Sequence, residues 1–135
     1  MKILQFAFDG NSNNPYLPEN IKGNNWIVYT GTHDNSTSTS WWESLDYNLK
    51  THIKNNYKFS DKPSWSLIEV GMSTKANLFI APIQDLLSLD NSARLNTPGT
   101  IKNNWIWKLD ITLEEIELNL EKFSEIGTNY GRTNI

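Results

Sequence analysis

The sequence predicts a parallel α/β fold, with three strands in one sheet and helices following the second and third strands. The first observation is composition: residues 3–8, 26–30 and 77–81 are short runs that are mostly apolar, aromatic or β-branched. Strands of that kind suit parallel sheets covered on both faces. The second is order, since strand, loop, strand, helices, strand, helices is the sequence of a parallel α/β chain. The third is length: 135 residues suit one domain, which buries about two-thirds of its unfolded surface. We expect that domain to span residues 1–127, with 128–135 as a C-terminal tail.

Residues 3–8 form the first predicted strand. Residues 9–25 follow as a long loop rich in Asn and Gly, with Pro15 and Pro18; loops this long in compact domains are functional or disordered. The second strand, 26–30, contains Trp, Ile, Val, Tyr and Thr. Between residues 38 and 54, Trp42, Leu45, Leu49 and Ile53 recur at spacings of three and four, the stripe of one amphipathic helix. Pro63 suits the first turn of a helix to about residue 75, with Leu67, Ile68 and Met72 as its buried stripe and Gly71 as a point of close packing. The third strand, 77–81, is ended by Pro82, and residues 84–89 form a short helix. Residues 90–104 are irregular, with Pro98-Gly99 as a turn; 105–109 is a short run to which the pattern assigns no element. Thr112-Leu-Glu-Glu115 is a capping box. The helix it opens sets Leu113, Ile116, Leu120 and Phe123 on one face and stops at Gly127.

Composition excludes several functions. Twelve basic and 15 acidic residues give a net charge of −3, and no basic stripe is present, so nucleic acid is not an expected partner. There is no cysteine, which removes disulfides and thiolate metal sites. The two histidines, His33 and His52, are far apart in sequence, so we expect no metal site; no cofactor is implied. No signal peptide or membrane span is visible, so a cytoplasmic protein without membrane contact is expected. Six tryptophans fit a large core or platforms for sugar rings, the core being the commoner use.

The stretch most charged with chemistry is Trp26-Ile-Val-Tyr-Thr-Gly-Thr-His-Asp-Asn35. An imidazole and a carboxylate just past the C-terminal end of an apolar strand stand where α/β folds keep their chemistry. The same residues also suit an N-cap of the next helix, and pattern alone leaves both readings open.

Thr30-Gly-Thr-His-Asp-Asn35 followed by Trp41-Trp42 resembles the seventh-strand motif of the 4-α-glucanotransferases, also called amylomaltases or disproportionating enzymes. Leu4-Gln-Phe-Ala-Phe8, Asn14-Pro-Tyr-Leu-Pro18, Ile80-Ala-Pro-Ile-Gln-Asp-Leu-Leu87, Arg94-Leu-Asn-Thr-Pro-Gly-Thr100 and Asn104-Trp-Ile-Trp107 resemble further blocks in the family's order. The resemblance implies a (β/α)₈ TIM barrel of which the three strands here are the sixth to eighth. It also implies transfer of α-1,4-glucans (maltooligosaccharide, starch or glycogen) by a retaining mechanism, through paired carboxylates about 5 Å apart. The family's nucleophilic Asp and acid/base Glu lie on earlier strands that this chain lacks. Asp34 matches the third family carboxylate, which stabilises the transition state by holding sugar hydroxyls of the cleaved unit. His33 would bind the same sugar, and Asn96 and Pro98 would lie on the acceptor side. Glu19 departs from the pattern, because the family usually carries His after Leu-Pro. Met1 falls where the family has an internal Met.

Three strands cut from a barrel have two open edges and one uncovered apolar face. We therefore expect self-association, pairing with a polypeptide that carries the missing strands, or helices repacked over the face. The functional expectation is a glucanotransferase component active when complemented. The alternative is a non-catalytic glucan-binding module or inactive remnant. Asp9, Glu19, Glu43 and Asp85 are the carboxylates available as stand-ins for the missing pair.

Overall fold

The computed structural model describes residues 1–132. Three parallel strands, β1 (Lys2–Ile3), β2 (Ile27–Tyr29) and β3 (Leu78–Ile80), lie in the order β1-β2-β3, with Val28 paired to Lys2 on one side and Phe79 on the other. Val28 and Phe79 point into the helical layer and are buried, while Ile27, Leu78 and Ile80 face away from it and are exposed. The sheet is thus covered on one face and bare on the other, not covered on both as its composition implied.

β1 is shorter than the run of apolar residues predicts. After Ile3 the chain tightens into a 3₁₀ turn over Leu4–Phe6. The reason is where the polar groups go. Gln5 is buried and its amide donates to the Ser36 carbonyl at 2.9 Å, while the Phe6 carbonyl accepts from the Asn14 side chain at 2.8 Å. The Gln5 N–H still donates across to the Thr30 carbonyl at 3.2 Å and the Ala7 N–H closes the turn on the Leu4 carbonyl at 2.9 Å, so the backbone is satisfied without a longer strand.

The helix predicted over 38–54 is two helices, α1 (Ser38–Ser44) and α2 (Tyr47–Tyr57). Leu45 is extended, and Asp46 N-caps α2 by accepting from the Leu49 N–H at 2.9 Å. The apolar stripe survives the break: Ile53 is fully buried, and Trp42, Leu45 and Leu49 pack on the core. α3 (Pro63–Ser73) matches expectation and is the most buried helix, with Leu67, Ile68 and Met72 inside. Gly71 abuts the Phe79 ring so closely that a Cβ would enter it. A short α4 (Ile83–Leu86) follows β3.

Trp41 and Trp42 serve the core. Phe8, Trp41, Tyr57 and Phe59 cluster, with Phe8 5.0 Å from Tyr57 and 5.8 Å from Trp41, and Trp42 stacks on Phe59 at 5.1 Å. α5 (Leu113–Asn129) opens with the expected Thr112–Glu115 capping box but runs past Gly127, which is buried within it; Gly131, at φ +69°, follows its end instead. Only its C-terminal half packs, through Phe123 stacked on Phe79 and through Ile126, while Leu113 and Leu120 of the expected buried face stay exposed. The tail expected from residue 128 is helical to Asn129, and Arg132 donates to the carbonyls of Met72, Thr74 and Ala76 at 2.6–2.9 Å; residues 133–135 lie outside the described residues. Among the described residues no helix is long and apolar enough to cross a membrane.

Candidate functional site

The loop between β2 and α1 carries the chemistry. It leaves the sheet at Thr30, which is buried, and turns at Gly31, where a Cβ would meet the Gln5 amide nitrogen at 2.6 Å. Asn35 folds the loop by accepting from both the N–H and the hydroxyl of Thr32 at 2.8 Å. His33 and Asp34 are left at its tip with side chains 53 % and 51 % exposed. Neither caps the next helix. That role falls to Thr37, whose hydroxyl accepts from the Ser40 N–H, so one of the two readings open in the sequence is closed.

A second loop fixes the tip. Asn96 Nδ2 donates to Asp34 Oδ1 at 2.6 Å, and His33 Nε2 lies 3.4 Å from the same oxygen. Arg94 Nη2 donates to the Asp34 carbonyl at 2.7 Å and its Nε to the Asn96 carbonyl at 2.9 Å; the Asn96 N–H in turn donates to the His33 carbonyl at 3.2 Å. Asn91 accepts from the Thr37 N–H at 3.0 Å, which ties in the loop's far end. The Trp105 indole stands 5.0 Å from the His33 ring.

Beneath both loops lies Asp85, 1 % exposed. It accepts from the Thr30 hydroxyl at 2.6 Å, the Ser38 N–H at 2.8 Å and the Ser38 hydroxyl at 2.7 Å, so it grips the two roots of the 31–37 loop. Burial raises its carboxyl above the ordinary range, and the three hydrogen bonds pull the other way. A cavity of about 260 Å³ opens beside this clamp, lined by Gly31, Thr32, His33, Pro82, Asp85 and Arg94 among others.

The structure therefore brings Asp34, His33 and Asn96 together. Pro98 is on the same excursion as Asn96 and is exposed. It occupies the first corner of a type II turn, closed by the Thr100 N–H on the Thr97 carbonyl at 3.2 Å, with Gly99 at φ +80°. Of the stand-in carboxylates, Asp85 has its oxygens committed to the clamp. Asp9 accepts from the Asn11 N–H, and Glu19 accepts from the Tyr57 hydroxyl at 2.7 Å. Glu43 is exposed on α1. Among the described residues the side-chain partners of Asp34 are Asn96 and His33 alone, so none of the four stands paired with it. His52 is solvated on α2 beside Asn56. Among the described residues no group of three His, Cys, Asp or Glu is placed to hold a metal ion.

Sequence reading missed Asp85, Asn91 and Arg94 as supports and Trp105 as a neighbour of His33. Residues 105–109 form no regular helix or strand, and Trp105 has φ +61°. Arg94 and Trp105 did lie in two of the quoted blocks, but nothing in those blocks tells which side chain faces the loop.

Parallel strands with a polar constellation on the loops past their C-terminal ends are the arrangement on which α/β barrels and open sheets place their sites. The chain belongs to the 4-alpha-glucanotransferase family, whose profile matches residues 1–113. It is 39 % identical over 136 residues to the chloroplastic/amyloplastic 4-alpha-glucanotransferase of Arabidopsis thaliana, covering 98 % of this chain and 23 % of that protein. The 4-alpha-glucanotransferase of Synechocystis is 41 % identical over 110 residues, covering 80 % and 22 %. Among solved structures, an amylomaltase from Streptococcus agalactiae in complex with acarbose matches 99 % of the chain and 27 % of its own length, at 31 % identity and a TM-score of 0.89. The three strands and flanking helices are thus a segment of the TIM-barrel fold of that enzyme, and the chain spans about a quarter of the length of the relatives it matches.

Proposed function

We propose that the chain supplies the Asp34 side of a 4-α-glucanotransferase site and takes part in α-1,4-glucan transfer when joined by a polypeptide that carries the remaining barrel strands. The observation that carries this reading is the preset Asp34 carboxylate, held by Asn96 at 2.6 Å on a loop clamped from below. In a retaining transfer a nucleophile and an acid/base flank the scissile bond. Asp34 serves neither role. It binds hydroxyls of the cleaved sugar and strengthens that hold as the ring flattens and gains positive charge. His33 binds the same sugar, and Asn96 and Pro98 belong to the acceptor side. Transfer to a sugar hydroxyl in place of water gives disproportionation. The acarbose held by the related amylomaltase is support for a saccharide ligand here.

One observation favours a second reading, a glucan-binding module without catalysis: among the described residues no second carboxylate is paired with Asp34. Maltotriose disproportionation separates the two. We expect no transfer by the chain alone, and glucose plus longer maltooligosaccharides when it is mixed with the matching N-terminal three-quarters of a family member. Activity of the mixture should drop at least about a hundredfold with Asp34→Ala, the scale of losing one transition-state contact. A mixture equally active with Asp34→Ala would sink the catalytic reading. A complex that forms, binds maltotriose and stays inactive would leave the binding module.

A further inference from the structure

Residues 95–105 leave the site and return to it, and the excursion is closed at its base by the Trp105 N–H on the Leu95 carbonyl at 2.6 Å. Asn104 braces the inside: its Oδ1 accepts from the Thr97 N–H at 2.9 Å and its Nδ2 donates to the Thr100 carbonyl at 3.1 Å. This construction holds Trp105 at φ +61°. A bulky side chain in the left-handed region is strained, and such strain persists only where surrounding contacts over-determine it. The indole gains little burial in return, since it is 61 % exposed, whereas Trp41 and Trp65 are sealed in the core. What the conformation achieves is placement: the ring stands at 5.0 Å and 44° to the His33 imidazole, next to Asp34.

The neighbouring polar groups indicate what would lie on it. Asn96 occupies Asp34 Oδ1. Among the described residues Asp34 Oδ2 and Asn96 Oδ1 have no partner. A broad apolar ring beside an imidazole that itself adjoins an open carboxylate fits a pyranose, whose C–H face packs on an aromatic while its rim hydroxyls donate to planar oxygens. A carboxylate at the edge also disfavours anionic ligands.

We propose that Trp105 is a stacking platform for a glucosyl unit, beside His33 and at the base of the loop that carries Asn96. This rests on the glucan reading above and adds to it the residue that selects a ring over any other polyol.

The test is titration of the ¹⁵N-labelled full chain with maltotriose, following the Trp105 indole N–H and the amides of His33, Asp34 and Asn96. Sorbitol, an open-chain polyol, is the control. Maltotriose should move all these signals and sorbitol none. Trp105→Ala should raise the Kd about tenfold, the upper end for an aromatic contact, and Trp105→Phe by no more than about threefold. Wild-type shifts at His33 and Asp34 with a still indole, or a Kd unchanged in Trp105→Ala, would overturn the platform and leave the glucan reading intact. Equal weakening in the Ala and Phe variants, with the His33 signals displaced before ligand is added, would also overturn it, because Trp105 would then only position His33. Absence of any shift in the wild type, both alone and joined to the matching N-terminal polypeptide of a family member, would overturn the glucan reading itself, and the platform with it. The wild-type indole shift decides the matter even if Trp105→Ala fails to fold.

Discussion

Asp85 lies buried beneath the site, yet it holds both ends of the loop that carries His33 and Asp34. Its carboxylate satisfies one buried N–H and two hydroxyls, from Thr30 and Ser38. Truncation to Ala leaves those donors without an acceptor, and each such group costs of order 1–3 kcal/mol. We expect Asp85→Ala to lose about 3 kcal/mol or more in urea unfolding. Asp85→Asn should lose much less, because its oxygen still accepts from the Ser38 N–H and the two hydroxyls can turn to accept from its nitrogen. The pair also carries a pH signature. Burial raises the folded-state pKa of Asp85, so its contribution to stability is fullest below the unfolded value and is lost as pH rises through the folded one. Between pH 7 and about pH 4, near the ordinary Asp value, stability should therefore shift toward the wild type relative to Asp85→Asn as pH falls. A difference that moves the other way would show the hydrogen bonds outweigh burial. Sequence could not reveal this clamp. Its contacts span 47 and 55 positions, and an Asp at the start of a short helix reads as an ordinary helix-start residue. Asp34 and His33 stood out as candidates because they follow a strand end directly, whereas Asn96 entered only through the resemblance of its block.

Packing of whole elements turns on Gly71. α3 crosses β3 at this glycine, and the Phe79 ring fills the space a Cβ would take. Phe79 also stacks on Phe123 of α5, so one ring joins sheet, central helix and final helix. Gly71→Ala would raise helix propensity by close to 1 kcal/mol if the site were open. Here overpacking dominates, and we expect a net loss of about 1–3 kcal/mol with the midpoint of urea unfolding lowered. A gain in stability would mean that α3 can slide off the ring. Gly71 was legible in the sequence because a glycine inside a strong helical stripe has few other uses. The element boundaries read wrongly share one physical cause. Residues 4–6, the break at Asp46 and the helix end past Gly127 are all decided by local capping or side-chain-to-backbone bonds, not by hydrophobic period. A stripe such as Trp42, Leu45, Leu49 and Ile53 stays in phase across a one-turn break, so the period cannot report it.

The whole molecule is unbalanced. One sheet face is sealed by helices while Ile27, Leu78 and Ile80 line the other, and Leu113, Leu118 and Leu120 remain exposed on α5. Among the described residues Ile27, Leu78 and Ile80 have no helix over them, so association is the expected way to cover the face. The edges contribute less than the face: β1 has two residues and β3 three, and edges so short template little further pairing. The bare face is apolar because in a closed barrel such side chains fill the interior in layers, and that was legible from the near-continuous apolar strands. We therefore expect the isolated chain to self-associate with rising concentration in light scattering, and the double variant Leu78→Lys/Ile80→Lys to shift it toward monomer without loss of helical signal. Adding the matching N-terminal polypeptide of a family member should compete with self-association in the wild type and fail to do so in the double variant, because the same apolar residues serve both contacts. A wild-type chain that stays monomeric at the highest concentration reached, or a double variant that still captures the N-terminal polypeptide, would mean that the bare face is not the surface through which the barrel is completed.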